Sequence, residues 1–255
     1  MSVLAALVLN GFREAVRNRV TVVVFVFAFI MIFSSTVALD MTVATFERVM
    51  TDLGLGVMGL ITMFLTIFLA SGLIPKEIER RTIFMVLAKP VSRTSFIVGR
   101  FFGNVLTVYS ITLVMTVLFI AQLVANGVTP RTTHWVSIGG LCLQTLVLTA
   151  VAFALASSTS QLVTAVASIS LYSIGHLEPD LYVMAERSHS EGLKWIGKAL
   201  YYVLPNLDRL SFSSRATYDD PVSWAEFGLA AGYALAYSVV MLVIASALFE
   251  RRDFK

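Results

Sequence analysis

Three glycines in the first quarter of the chain have the spacing of a nucleotide-binding loop. Gly54, Gly56 and Gly59 form G-x-G-x-x-G within the stretch DLGLGVMGL. Acidic residues follow about 20 positions later, at Glu77 and Glu79. In a dinucleotide-binding fold, such glycines let backbone N–H groups approach a pyrophosphate, and the acidic residue binds a ribose hydroxyl. Taken alone, this spacing indicates nucleotide chemistry.

A second stretch, GLKWIGKA, nearly completes a phosphate-binding loop with Gly192, Gly197 and Lys198. Ala199 stands where such a loop needs a Ser or Thr hydroxyl to bind magnesium. Leucine and isoleucine alternate here with lysine at helical spacing, which is typical of an amphipathic helix. We therefore expect an amphipathic helix and no phosphate site at this position.

The distribution of charge predicts an all-α integral membrane protein. The chain has 255 residues, of which 57% are hydrophobic and only 14% charged, whereas soluble domains carry about 25% charged residues. Five stretches lack Asp, Glu, Lys and Arg altogether: 20–39, 53–75, 101–130, 132–177 and 227–249. A membrane-spanning helix needs about 20 mostly apolar residues. The prediction is six transmembrane helices, at 20–39, 54–74, 102–124, 137–156, 161–177 and 228–249.

This membrane assignment changes the interpretation of the first glycine motif. The dinucleotide fingerprint requires a strand before it and a soluble helix after it. Gly59 instead runs into LITMFLTIFLASGLI, an apolar helix. Small residues on such a helix allow a neighbouring helix to approach closely. We therefore expect these glycines to pack helices, and we expect no nucleotide site and no cofactor in this chain.

The basic residues predict the orientation in the membrane. If the number of spans is even, the two termini and the segment between spans 2 and 3 share one side, which has twelve basic and five acidic residues. The other side has seven basic and eleven acidic residues. Because basic residues favour the cytoplasmic side, both termini are predicted to be cytoplasmic in a plasma or bacterial inner membrane. Residues 1–19 form an amphipathic pattern that predicts an interfacial helix, and residues 178–227 form an external helical segment.

The predicted spans offer little chemistry of their own. They contain no Asp, Glu, Lys or Arg, although transporters driven by ion gradients commonly bury such groups. His134 and His176 lie near span ends, where we expect solvated interface residues. His176 with Glu178 and Asp180 forms at most a weak candidate for a cation site. No pattern of catalytic residues is present, so we expect no enzymatic activity of this chain itself. Any transport must draw its energy from elsewhere.

The segment between spans 2 and 3, residues 75–101, has the composition of a docking surface for a protein. Pro75 opens it, a helix-favouring stretch extends from Lys76 to Ala88, and Pro90 ends that stretch. Ser92 can cap the following helix. A mixed-charge face next to Ile, Phe and Leu suits a protein partner, whereas a loop anchored by lipid phosphates would need only basic residues.

This segment resembles the cytoplasmic segment of permease subunits of ATP-binding-cassette (ABC) transporters of the type-2 exporter class. The similarity lies in Glu-x-Glu-x-x-Thr, Leu, Pro-Val-Ser-Arg and Gly-Arg-x-x-Gly. Arg81 stands where the family often has Gly. The positions that the resemblance assigns to ATPase coupling are Glu77, Glu79, Arg80, Arg81, Thr82, Phe84, Leu87, Pro90, Ser92 and Arg93.

The resemblance implies a pathway formed by two permease copies, a homodimer, above two separate ATPase subunits. The helix at 76–88 would be the coupling helix, and ATP and Mg would bind to the partner ATPase. The other expected partners are the lipid bilayer and an external or periplasmic protein, but no nucleic acid. Substrate export and force transmission to the external partner both remain open. The alternative function is a non-transporting membrane scaffold or assembly factor that recruits a cytoplasmic protein through the same helix.

Overall fold

The computed structural model describes residues 20–38, 43–79, 93–187 and 191–251, and the regular elements in these ranges are all helical. No strand occurs in them, as the sequence predicts. The helices are α1 (Val20–Ala38), α2 (Val43–Glu79), α3 (Arg93–Ala125), α4 (Thr132–Ala156), α5 (Gln161–Arg187), α6 (Glu191–Val203), α7 (Ser213–Tyr218) and α8 (Trp224–Glu250), with a 3₁₀ turn at Asp208–Leu210. The predicted helix at 1–19 lies outside the described residues, and so does the predicted helix at 76–88 except for residues 76–79, which belong to α2.

Four helices contain stretches long and apolar enough to cross a membrane: Phe46–Leu73, Arg93–Ala125, Thr132–Ala156 and Trp224–Glu250. Shorter apolar stretches occupy α1 and the first part of α5, at Val22–Ser35 and Gln161–Leu177. Large apolar side chains also cover the outside of the fold, such as Phe25 and Phe29 on α1 and Leu229 on α8, each at least 70% exposed. Water-soluble proteins rarely expose apolar surface on this scale. The fold is that of a helical membrane protein.

Consecutive long helices alternate in direction. At one end, the hydroxyl of Ser35, near the end of α1, donates to Asn126 after α3 at 3.2 Å. At the other end, Arg93 at the start of α3 contacts Glu250 at the end of α8. Residues far apart in sequence therefore meet at two opposite ends of the bundle. We call the end that contains Asn126 the distal end and the end that contains Glu250 the proximal end.

Helix α4 occupies the middle of the bundle and packs against α2, α3, α5 and α8. Most of its side chains are buried, including the polar Ser137, Gln144, Thr145 and Thr149, although Trp135 is 53% exposed. The two threonine hydroxyls donate to carbonyls one turn earlier in α4, at 2.8 and 2.7 Å. Both hydroxyl donors are therefore hydrogen-bonded within α4, so packing other helices around α4 leaves neither donor unsatisfied.

The helices extend beyond several predicted spans. Helix α2 begins at Val43 and continues through Pro75 to Glu79, although Pro75 was expected to open a separate segment. Proline lacks the N–H that would bond to the carbonyl one turn earlier, but neighbouring groups let membrane helices tolerate it. Helix α5 likewise continues past the predicted span end at 177 to Arg187. The turn predicted at 157–161 is confirmed, because α4 ends at Ala156 and α5 begins at Gln161.

The glycines of the first motif lie inside α2, and two of them face neighbouring helices. A Cβ atom at Gly54 would lie only 2.3 Å from the ring of Phe119 on α3, and one at Gly59 would lie 3.3 Å from Leu141 on α4. A Cβ at Gly56 would meet nothing within 4 Å. The packing role predicted for these glycines is therefore confirmed at Gly54 and Gly59, and Gly56 faces outward.

We expect Gly54→Ala to destabilise the fold, because the buried ring of Phe119 would have to move. Overpacking a core typically costs about 1–3 kcal/mol. Gly56→Ala is the matched control on the same helix, where alanine meets open space and improves helix propensity. The check is the free energy of unfolding of both variants in detergent micelles. Equal stability of the two variants would contradict the close contact between α2 and α3.

Candidate functional site

The structure describes only the two borders of the predicted coupling segment. Glu77 and Glu79 lie in the last turn of α2, and Arg93 is the first residue of α3. The remaining predicted site residues fall outside the described residues: Arg80, Arg81, Thr82, Phe84, Leu87, Pro90 and Ser92. Among the predicted residues, Arg93 is the one whose side-chain contacts the structure gives.

Arg93 reaches from the start of α3 to the end of α8. Its Nη1 donates to the backbone carbonyl of Glu250 at 2.9 Å and lies 3.5 Å from that of Phe249. The last carbonyls of a helix lack partners within the helix and form the negative end of its dipole, so a cation placed there is stabilising. Arg93 therefore caps α8 from a position 157 residues earlier in the chain.

Two further contacts join these helix ends. The hydroxyl of Thr94 donates to the Glu250 carboxylate at 3.1 Å, and the buried rings of Phe96 and Phe249 stack with centroids 5.8 Å apart. We call the contacts of Arg93, Thr94 and Phe96 with the end of α8 the proximal junction.

Sequence reasoning does not single out Glu250 or Phe249, because contacts between distant parts of the chain leave no local pattern. One feature of the sequence does indicate that these helix ends meet. Glu250 directly follows the charge-free stretch 227–249, Arg100 directly precedes the stretch 101–130, and Arg93 lies about two helical turns before Arg100. If both stretches cross a membrane and end on the same side, the acidic Glu250 and the basic Arg100 lie at the same membrane surface.

The segment 205–212, which contains the 3₁₀ turn at Asp208–Leu210, lies against α4, and α4 supplies donors to its carbonyls. Ser137 Oγ donates to the carbonyl of Phe212 at 2.6 Å, and Gln144 Nε2 donates to that of Leu207 at 3.0 Å. These donors lie about 8 and 18 Å along the axis from the first residue of α4. The segment therefore runs along about 10 Å of α4, from near its first turn to its middle.

The N–H groups of this segment are also bonded. The N–H of Leu207 donates to the carbonyl of Gly175 on α5 at 3.0 Å, and the N–H of Asn206 donates to the hydroxyl of Tyr233 on α8 at 2.9 Å. Three helices therefore satisfy the backbone of a segment whose Leu207 side chain is fully buried. An unsatisfied backbone group in apolar surroundings is costly, so these bonds fix the path of the segment.

Close approach of this segment requires glycine on the helices that it touches. A Cβ atom at Gly140 of α4 would lie 2.5 Å from the carbonyl oxygen of Leu210, and one at Gly175 of α5 would lie 2.6 Å from that of Pro205. Both contacts are with backbone atoms, which cannot turn aside. Glycine at positions 140 and 175 was the sequence signal for this packing.

A cluster of ion pairs lies at the distal end. Arg131, just before α4, contacts Glu47 near the start of α2 at 3.0 Å and Asp219 after α7 at 2.7 Å, and the Thr133 hydroxyl donates to Asp219 at 3.3 Å. These side chains are partly exposed, so each pair contributes only about 0–1 kcal/mol. Their effect is geometric, because one guanidinium fixes three elements relative to one another.

The expectation that His134 is a solvated interface residue is wrong. It is 1% exposed, its Nδ1 accepts from the N–H of Arg131 at 3.0 Å, and its Nε2 lies 3.1 Å from the hydroxyl of Thr51. A neutral imidazole that accepts at Nδ1 carries its proton on Nε2, so Nε2 donates to Thr51. Thr51 on α2 and the ring of Phe119 on α3, whose centroid lies 6.1 Å away, approach His134, and sequence position alone could not indicate this.

His176 is half-buried against α4 and its own helix. Its ring centroid lies 4.3 Å from that of Tyr172, and Nε2 lies 3.5 Å from Gln144 Nε2. Of the weak cation site suggested for His176 with Glu178 and Asp180, the side chains of Glu178 and Asp180 are not among those that the structure describes. In the part of the chain that the structure describes, no group of three or more His, Cys, Asp or Glu side chains is arranged to hold a metal ion.

The second motif is helical, as expected. Gly192, Gly197 and Lys198 all lie within α6, and Trp195 on the same helix is 76% exposed. The neighbouring 3₁₀ turn and α7 also give the predicted external segment, where the structure describes it, a largely helical character.

Comparison with known proteins adds no identification. The chain matches no protein-family model and no curated protein sequence. The functional argument therefore rests on the residues and contacts described above.

We expect Ser137→Ala to destabilise the protein and loosen the segment 205–212, because the carbonyl of Phe212 loses its donor from α4 and keeps only the N–H of Ala216. The loss of one such hydrogen bond costs about 0.5–1.5 kcal/mol. Ser110→Ala is the matched control, since the Ser110 hydroxyl donates only within its own helix, to Leu106 at 2.7 Å. The check is the free energy of unfolding together with the rate of proteolysis within 205–212. If both variants behave alike, the bond to Phe212 does not hold the segment.

Proposed function

We propose that the chain is the membrane-spanning permease subunit of an ABC exporter of the type-2 class. It would couple ATP hydrolysis by a separate ATPase subunit to substrate export or to force transmission across the membrane. The observation that carries this proposal is the motif from Glu77 to Gly103, whose last part continues into the proximal junction. The helical membrane architecture is compatible with it.

The proposed topology has six spans with both termini and residues 75–101 in the cytoplasm. Its support is the excess of basic residues on that side and the meeting of Arg93 with Glu250 at the proximal end. On this topology the Arg131 cluster lies at the external end, and α6, α7 and the 3₁₀ turn belong to the external segment. The membrane would be the plasma membrane, or the inner membrane of a bacterium.

Energy for transport would come from the partner. The charge-free stretches contain no carboxylate, lysine or arginine that could carry a proton or bind sodium. Buried hydroxyls such as those of Thr62, Thr66 and Thr112 donate to their own helices, at 2.9, 2.7 and 2.9 Å. ATP and Mg would therefore bind to two ATPase subunits, placed beneath a homodimer of this chain.

Helix α8 is the proposed route from the coupling segment to the external end. Its last turn is held by Arg93 at the proximal junction, and its Tyr233 hydroxyl accepts from the N–H of Asn206 in the buried segment. On the C-terminal side of the coupling helix, a displacement would reach the described bundle at Arg93, the first residue of α3. Helix α8 would then carry it to the segment 205–212.

The assembly is tested with purified components. We expect the chain alone to hydrolyse no ATP, because it has no complete phosphate loop, and to form a complex of two permeases and two ATPases with its partner. Native mass spectrometry gives the stoichiometry, and ATPase rates in proteoliposomes give the coupling. Turnover by the isolated chain, or a complex with a single permease copy, would refute the proposal. A stable complex in which the ATPase rate is the same with and without this chain would favour the scaffold function.

The coupling helix is tested by Phe84→Asp and Leu87→Asp, since either residue could be the apolar anchor in the ATPase. Truncating an interface hot spot costs at least about 2 kcal/mol, roughly 30-fold in affinity. A buried charge costs more. We expect at least one of the two variants to release or uncouple the ATPase while still inserting and dimerising.

Lys76→Ala is the control for this experiment, because an exposed ion pair contributes only about 0–1 kcal/mol. The measurements are pull-down stoichiometry and ATPase rate in reconstituted membranes. Normal binding and coupling in both aspartate variants would remove the coupling role from residues 76–88.

A further inference from the structure

A groove with a volume of about 430 Å³ follows the outside of the bundle between α3 and α8. Most of its lining is apolar, and Val239 and Val243 on its α8 side are 59% and 63% exposed. The groove therefore opens away from the protein. Thr94 and Glu250 line its proximal end. The remaining lining residues are Val98, Leu242, Ser246 and Ala247.

The length of the groove matches one leaflet of a bilayer. From Val239 to Glu250 the helix rises about 16 Å, and half of the hydrocarbon core measures about 15 Å. An apolar groove of this length and volume, with its polar groups towards one end, fits one acyl chain of a lipid whose headgroup lies outside the groove.

Glu250 lines the polar end of the groove. The exposed Arg251 is the next residue in the chain and lies beyond the lining residues. We propose that this groove binds one phospholipid of the adjacent leaflet whose headgroup combines a phosphate with a primary ammonium group. Glu250 binds the ammonium group and Arg251 binds the phosphate. The site does not depend on the transport function, since it requires only α3, α8 and a membrane.

Selectivity must come from the headgroup. An acyl chain gains little by leaving the bilayer for an apolar groove, because both surroundings are apolar. A charged pair at a partly exposed site changes affinity by up to about 5-fold. The groove therefore determines where the lipid lies, and Glu250 determines which lipid it is.

The test is native mass spectrometry of the delipidated full chain in detergent micelles, titrated with phosphatidylethanolamine or phosphatidylglycerol of identical acyl chains. We expect the wild type to prefer phosphatidylethanolamine by up to about 5-fold. Glu250→Gln should abolish this preference. It retains an acceptor for the Thr94 hydroxyl, so the proximal junction is preserved and the variant should fold.

Ala247→Trp should fill the groove and remove most of the bound lipid. Ala225→Trp, an exposed position at the opposite end of α8, is the matched control and should bind lipid normally. Equal affinity of the wild type for the two lipids would overturn the headgroup assignment. Unchanged lipid binding by Ala247→Trp, or loss of a dimer in place of loss of lipid, would show that the groove is not a lipid site.

Discussion

The fold depends on satisfying the backbone of the segment 205–212 where its Leu207, Leu210 and Phe212 side chains are buried against the bundle. The α-helices bond their own N–H and C=O groups, but this segment cannot do so fully, and buried apolar surroundings offer no water. Ser137 and Gln144 of α4 supply donors, and the Gly175 carbonyl and the Tyr233 hydroxyl supply acceptors. The central position of α4 and the glycines facing the segment follow from this requirement.

The two ends of the bundle are held by different kinds of contact. At the distal end, the single guanidinium of Arg131 joins two carboxylates from different elements. At the proximal end, Arg93 binds backbone carbonyls and the rings of Phe96 and Phe249 stack beside it. Exposed ion pairs are weakened by salt and water, whereas the buried ring pair is shielded from both. The contacts of Arg131 are therefore more sensitive to salt than the ring pair of the proximal junction.

The helical elements were predictable because each depends on a local property. Absence of charge located the long helices, and the polar run after Ala156 located the turn between α4 and α5. Contacts between distant residues were not predictable in this way. His134 is buried because Thr51 lies across from it, and Arg93 caps α8 because the chain returns to the same end 157 residues later. A local sequence pattern cannot identify the partner of either residue. Within the predicted coupling segment, sequence similarity remains the basis for most residue assignments.

The bonds between α4 and the buried segment also set an order of events during biosynthesis. Gln144 and Ser137 are synthesised 63 and 75 residues before their acceptors in Leu207 and Phe212. At about 5–20 residues per second, this leaves a delay of roughly 3–15 s. During that time, α4 inserts with donors that have not yet met their final acceptors. The central helix of the finished protein is therefore completed only after most of the chain has left the ribosome.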